Sequence, residues 1–199
     1  MHKILLLLSV LTLASFSGDT LIPVTTTPQS VKSPSGFYLG GGLGTFVLDD
    51  GVTAEELSAN TALLIAGYQY NAYLSLEARY YRSIGDEMDY DAGERVSPDA
   101  SYESTFTHMA AFLKLGYTYG DFSPYLLLGY GTLKLTNIAG ADREESAMQY
   151  GVGVGYQVTD DFSLFVDWVR AYDDKGFDGR AIQDDLTMDL ITAGVIYRF

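Results

Sequence analysis

The sequence predicts an all-β fold: an eight-stranded, antiparallel, up-and-down transmembrane β-barrel over residues 36–199. Three observations predict it. Eight strand-like runs supply the roughly 9–11 residues that a tilted strand needs to cross a bilayer. The connections between them alternate long and short, so the long ones all fall at one end, as in membrane barrels with tight turns on one side. Within the runs, apolar residues alternate with small, polar or charged ones at period 2, the repeat of a strand with two different environments.

The strands follow in order. The first is GFYLGGGLGTFVL, 36–48, and an acidic connection leads to ANTALLIAGYQYN, 59–71. A tight turn at Asn71–Ala72 opens YLSLEARYYRSI, 73–84, which a long polar segment, 85–103, separates from STFTHMAAFLKLGYTY, 104–119. The short turn GDFS precedes PYLLLGYGTLKLTN, 124–137. An acidic loop, 138–145, precedes SAMQYGVGVGYQV, 146–158. TDD turns into FSLFVDWVRAY, 162–172, and a loop over 173–184 leads to the eighth strand, about 185–199.

Alternation assigns the faces. Leu74, Leu76, Ala78 and Tyr80 oppose Ser75, Glu77, Arg79 and Tyr81 in the third strand. Met148, Tyr150, Val152, Val154, Tyr156 and Val158 oppose Gln149, Gly151, Gly153, Gly155 and Gln157 in the sixth. Leu164, Val166 and Trp168 in the seventh, and Ile191, Ala193, Val195, Tyr197 and Phe199 in the eighth, continue the apolar face. Turned inward, these aromatics would leave glycine ridges and charges to cover the outside. Turned outward they form a lipid face with aromatic girdles at its rims, over a polar interior. The fifth strand has leucine on both parities, and its Lys134 face is expected to point inward.

The bulk numbers agree. Lys3, the apolar run Ile4–Leu13 and the small residues after it form a signal peptide over 1–17. That run is too short for a membrane helix. The Ser/Thr/Pro-rich stretch 18–35 reads as a flexible periplasmic linker. The chain has no Cys, so no disulfide is expected. A formal charge of −14 argues against nucleic acid as a partner.

GFYLGGGLG in the first strand, LSLEARYYR in the third, SPYLLLGYG in the fifth and the final GVIYRF together resemble the small outer-membrane β-barrel family of the OmpA and OmpX type, over 36–199. The resemblance implies the outer membrane of a Gram-negative bacterium, with both termini periplasmic and the long loops outside. Outer-membrane lipid and lipopolysaccharide are the implied surroundings. It also implies that Phe199 and Tyr197, with the alternating residues before them, serve as the signal read by the outer-membrane assembly machinery. They also join Phe37 in the periplasmic aromatic girdle. No soluble peptidoglycan-binding domain is expected after the barrel.

Glu77, Arg79, Lys114, Asp167 and Arg198 fall on inward parities. An eight-stranded barrel is just wide enough to be filled by its own side chains, and buried charges must be paired. Glu77 and Asp167 are therefore expected to pair with Arg79 and Lys114, either as a static polar core or as a gate whose pairs exchange to pass ions. The connections 49–58, 85–103, 138–145 and 173–189 hold 20 of the 26 acidic residues and four basic ones, a net charge of −16. Two readings stand for them: solubilising, or sites for divalent cations, with Asp86, Glu87, Asp89, Asp91 and Glu94 as oxygen donors. His108, with Ser104 and Glu103 near it in sequence, is the one opening for a lipid-modifying enzyme, but no catalytic motif surrounds it. GGGLG and GVGVG sit inside strands, so they are not phosphate loops. No cofactor is implied. The expected role is structural and surface-exposed, through the acidic loops. A low-conductance pore, a lipid-modifying enzyme and a soluble ligand-carrying barrel are the alternatives.

Overall fold

The computed structural model describes residues 35–49, 56–85, 89–91, 105–138, 141–174 and 186–199. The expected signal peptide and all but the last residue of the expected linker lie outside the described residues. Among the described residues, alternating, β-branched and aromatic-rich runs form nine strands: β1 Gly36–Asp49, β2 Glu56–Gln69, β3 Leu74–Ser83, β4 Asp89–Asp91, β5 Thr105–Gly116, β6 Phe122–Ile138, β7 Ala141–Gln157, β8 Phe162–Asp174 and β9 Leu186–Arg198. The eight long strands pair antiparallel in chain order, and β9 closes onto β1. The amide N–H of Phe199 donates to the carbonyl oxygen of Phe37 at 3.1 Å and seals the seam. Closure satisfies every edge, which is what permits β structure in lipid.

Following paired residues once round the barrel from Phe37, through Tyr68, Leu76, Leu113, Leu128, Tyr150, Arg170 and Asp189, returns to Val47, ten residues further along β1. With a rise of ~3.3 Å per residue and strands ~4.8 Å apart, this stagger requires a tilt of about 40° and a backbone radius of about 8 Å. Such a lumen must be filled by side chains.

Three short turns lie at one end, called here the turn end. The Asn71 side chain accepts from the amides of Tyr73 and Leu74, and Thr159 Oγ1 caps Phe162 N–H at 3.1 Å. Gly120 has φ of +60°, a left-handed conformation that suits glycine in a two-residue hairpin. The other end, the loop end, differs from expectation in two places. The described residues of the expected acidic loop 138–145 are strand: β6 continues to Ile138 and β7 begins at Ala141, with a register shift between Leu135 and Ile138. Burying Leu133 and Leu135 in the barrel is what draws these strands onward. The segment 85–103 contains β4, which pairs with the loop end of β2.

The period-2 assignment holds on β3, β7, β8 and β9. On β6 it is reversed. Tyr125, Leu127, Gly131 and Leu133 are buried inside, and the Lys134 parity faces outward. Directly paired residues share a face, and Leu127 pairs with inward-facing Lys114, so cross-strand register decides what the two leucine-bearing parities could not.

Glycines make room for interior rings. Tyr38 lies over Gly67, Phe112 over Gly129, Tyr125 over Gly153 and Phe165 over Gly194, each against its directly paired cross-strand partner. A Cβ at any of these positions would collide with the ring.

Candidate functional site

The barrel changes character along its axis. Each long strand carries apolar residues outward towards the turn end and polar residues outward at the loop end. Leu76, Ala78 and Tyr80 give way to Arg82 on β3, and Leu126, Leu128 and Tyr130 to Thr132 and Lys134 on β6. Ile191 gives way to Asp189 on β9. The outward apolar run Met148–Tyr156 on β7, tilted as above, spans about 20 Å, near the ~25 Å of a membrane barrel's apolar band. At the turn end its rim is four aromatic pairs: Phe37–Tyr68, Tyr73–Tyr117, Phe122–Tyr156 and Phe162–Tyr197, with centroids 4.8, 6.3, 5.0 and 4.9 Å apart. Each pair bridges neighbouring strands, and Phe199 meets Tyr197 at 5.1 Å. Tyr80, Tyr130, Tyr150 and Trp168 form a sparser row at the other rim.

The interior runs the opposite way. Inside the apolar band lies a charge belt. Glu77 Oε1 accepts from Lys114 Nζ at 2.9 Å and from Tyr38 Oη at 2.8 Å. Glu77 Oε2 accepts from Arg79 Nε at 2.8 Å, and Arg79 Nη2 makes an ion contact with the same oxygen at 2.8 Å. Arg79 Nη1 reaches Asp167 Oδ2 at 2.9 Å and donates to Tyr81 Oη at 3.1 Å. Tyr125 Oη donates to Asp167 Oδ2 at 2.9 Å. Lys114 Nζ sits 4.0 Å from the Tyr125 ring centroid. Two carboxylates and two cations leave the belt formally neutral, and Arg79, Glu77 and Asp167 have fully buried side chains. Arg198 stands apart: half-buried, paired across the sheet with Tyr38, and in no ion pair among the described residues.

Above the belt, where the outside turns polar, the lumen is apolar. Phe46 stacks on Phe106 at 4.6 Å. Around them Leu133, Leu135, Met188 and Leu190 are at most 1 % exposed. This plug corrects the expectation of a polar interior throughout. His108 lies at its lower edge, 5.2 Å from the Tyr81 ring, with Nε2 on the Gln149 amide at 2.8–3.0 Å. Ser104, Glu103, Asp86, Glu87 and Glu94 lie outside the described residues, as do the side chains of Asp89 and Asp91. The plug could have been found only by combining inward parity with position along each strand, because averaging over a strand mixes the two zones.

The sequence matches the outer membrane protein β-barrel domain family over residues 4–199. The chain belongs to that family. Family membership places it in the bacterial outer membrane. No curated protein sequence matches it. Among solved structures it is similar to Neisserial surface protein A, at 18 % identity and a TM-score of 0.59, covering 83 % of this chain and 98 % of that one. It is also similar to the attachment invasion locus protein of Yersinia pestis in complex with the heparin analogue sucrose octasulfate (16 %, 0.54, 83 % and 99 %). A third is the N-terminal β-barrel domain of Pseudomonas aeruginosa OprF (15 %, 0.50, 82 % and 98 %). At these identities the likeness is one of fold.

Proposed function

We propose that this outer-membrane barrel is closed to ions and acts at its loop end, which faces outward and presents acidic connections to external partners. The observation that carries this reading is the filled lumen: a formally neutral belt of ion-paired buried charges in series with an apolar plug. An ion would have to break buried pairs, which is costly, and then pass a plug filled by aromatic and aliphatic side chains. A net charge of −16 on the connections favours partners with positive charge or partners bridged by divalent cations. The fold is also that of an attachment protein, which is compatible with such a role. An enzymatic reading gains little, because the described polar contact of His108 is to Gln149 rather than to a nucleophile or an acid.

Planar-bilayer recording tests the closed lumen. The reconstituted protein is expected to give no discrete current steps. Steps whose size changes in Lys114→Gln would replace this reading with a pore. Protease cleavage within 85–103 on intact cells is expected if the loop end faces outward.

A further inference from the structure

The outward polar zone contains a basic pair at the boundary of the apolar band. Arg82 on β3 pairs with Thr107 on β5, and Thr107 pairs with Lys134 on β6, so the three share one outward row. One row nearer the turn end, the same strands carry Tyr80, Met109 and Thr132. Arg82 thus stands just above the apolar surface and Lys134 just above Thr132, where lipid headgroups meet the barrel. Arg82 and Lys134 are two strand spacings apart, ~10 Å between Cα atoms. Side chains of their length can converge on one anion held in front of the Thr107 hydroxyl. Thr132 Oγ1 and Ser146 Oγ, 2.7 Å apart, add hydroxyls beside them.

Other charges at this level are engaged differently. Arg170 is held by both carboxylate oxygens of Asp189, at 2.5 and 3.1 Å, and stacks over Trp168. Lys134 stands across from Glu144, yet no ion pair joins them, and Arg82 has none, among the described residues. Arg82 is exposed and Lys134 half-exposed. In a chain of charge −14, two uncommitted cations in one row at this depth mark an anion site.

We propose that Arg82, Thr107 and Lys134 bind the phosphate of a lipid headgroup in the leaflet at the loop end. The lipid is favoured over a free anion because Arg82 borders the apolar surface at Tyr80 and Met109, so one ligand can fill both zones. The inference rests on the membrane placement of the barrel and not on what the loops bind.

The test compares full-length protein and Arg82→Gln/Lys134→Gln in micelles by native mass spectrometry. The probes are diphosphoryl lipid A, the same lipid dephosphorylated, and inorganic phosphate as competitor. Each basic side chain near an anionic lipid surface contributes about fivefold in affinity, so the double variant should lose about 30-fold for the diphosphoryl form. Little change is expected for the dephosphorylated one. Arg170→Gln should bind as the unaltered protein does. Unheated-gel mobility confirms that each variant is folded. Equal retention by the double variant overturns the site. Displacement of the lipid by equimolar inorganic phosphate overturns the lipid assignment.

Discussion

Replacing Arg79 with Met tests whether the charge belt is sealed. The guanidinium joins the two buried carboxylates, 2.8 Å from Glu77 and 2.9 Å from Asp167. Without it Glu77 keeps Lys114 and Tyr38, but among the described residues Asp167 keeps only the Tyr125 hydroxyl. Removing one partner of a buried pair leaves an uncompensated charge, at a cost of about 3–5 kcal/mol. Adding Asp167→Asn removes that charge and leaves the Glu77–Lys114 pair intact. The double variant should therefore recover about 2 kcal/mol, a coupling that independent sites would not give. The assay is urea unfolding from lipid vesicles, followed by fluorescence of Trp168, the single tryptophan, which faces the lipid side. A loss below about 1 kcal/mol, the size of an exposed pair, would mean that water already solvates the belt. The closed-lumen reasoning would then fail.

Two further tests address the wall. Arginine at Leu126, within the apolar band, should cost about 2–4 kcal/mol in the same assay, whereas arginine at Thr132, above the band, should cost about 0–1; equal costs would move the membrane boundary. Gly67→Val would drive a side chain into the Tyr38 ring and pull its hydroxyl from Glu77. Overpacking of this kind costs typically ~1–3 kcal/mol, and it should shrink in Tyr38→Ala, where the ring is gone.

The sequence alone determined the eight strands of the barrel wall, the closure and the faces of four strands. A chain whose apolar residues recur every second position, with no helix long enough for a bilayer, can satisfy its backbone in lipid only as a closed barrel. It also put Glu77, Arg79, Lys114 and Asp167 on the inward parity, because period 2 fixes parity wherever the two faces differ in chemistry. On β6 they do not differ, and only pairing with Lys114 turned Leu127 inward and Lys134 outward. The partners within the belt, the displacement of Arg198 from it and the Phe46–Phe106 plug were likewise decided in three dimensions. A tilt of about 40° brings residues from distant parts of the chain to one level. Their height, which decides whether an inward side chain meets charge or hydrocarbon, depends on the stagger of all eight strands and is not written in any one of them.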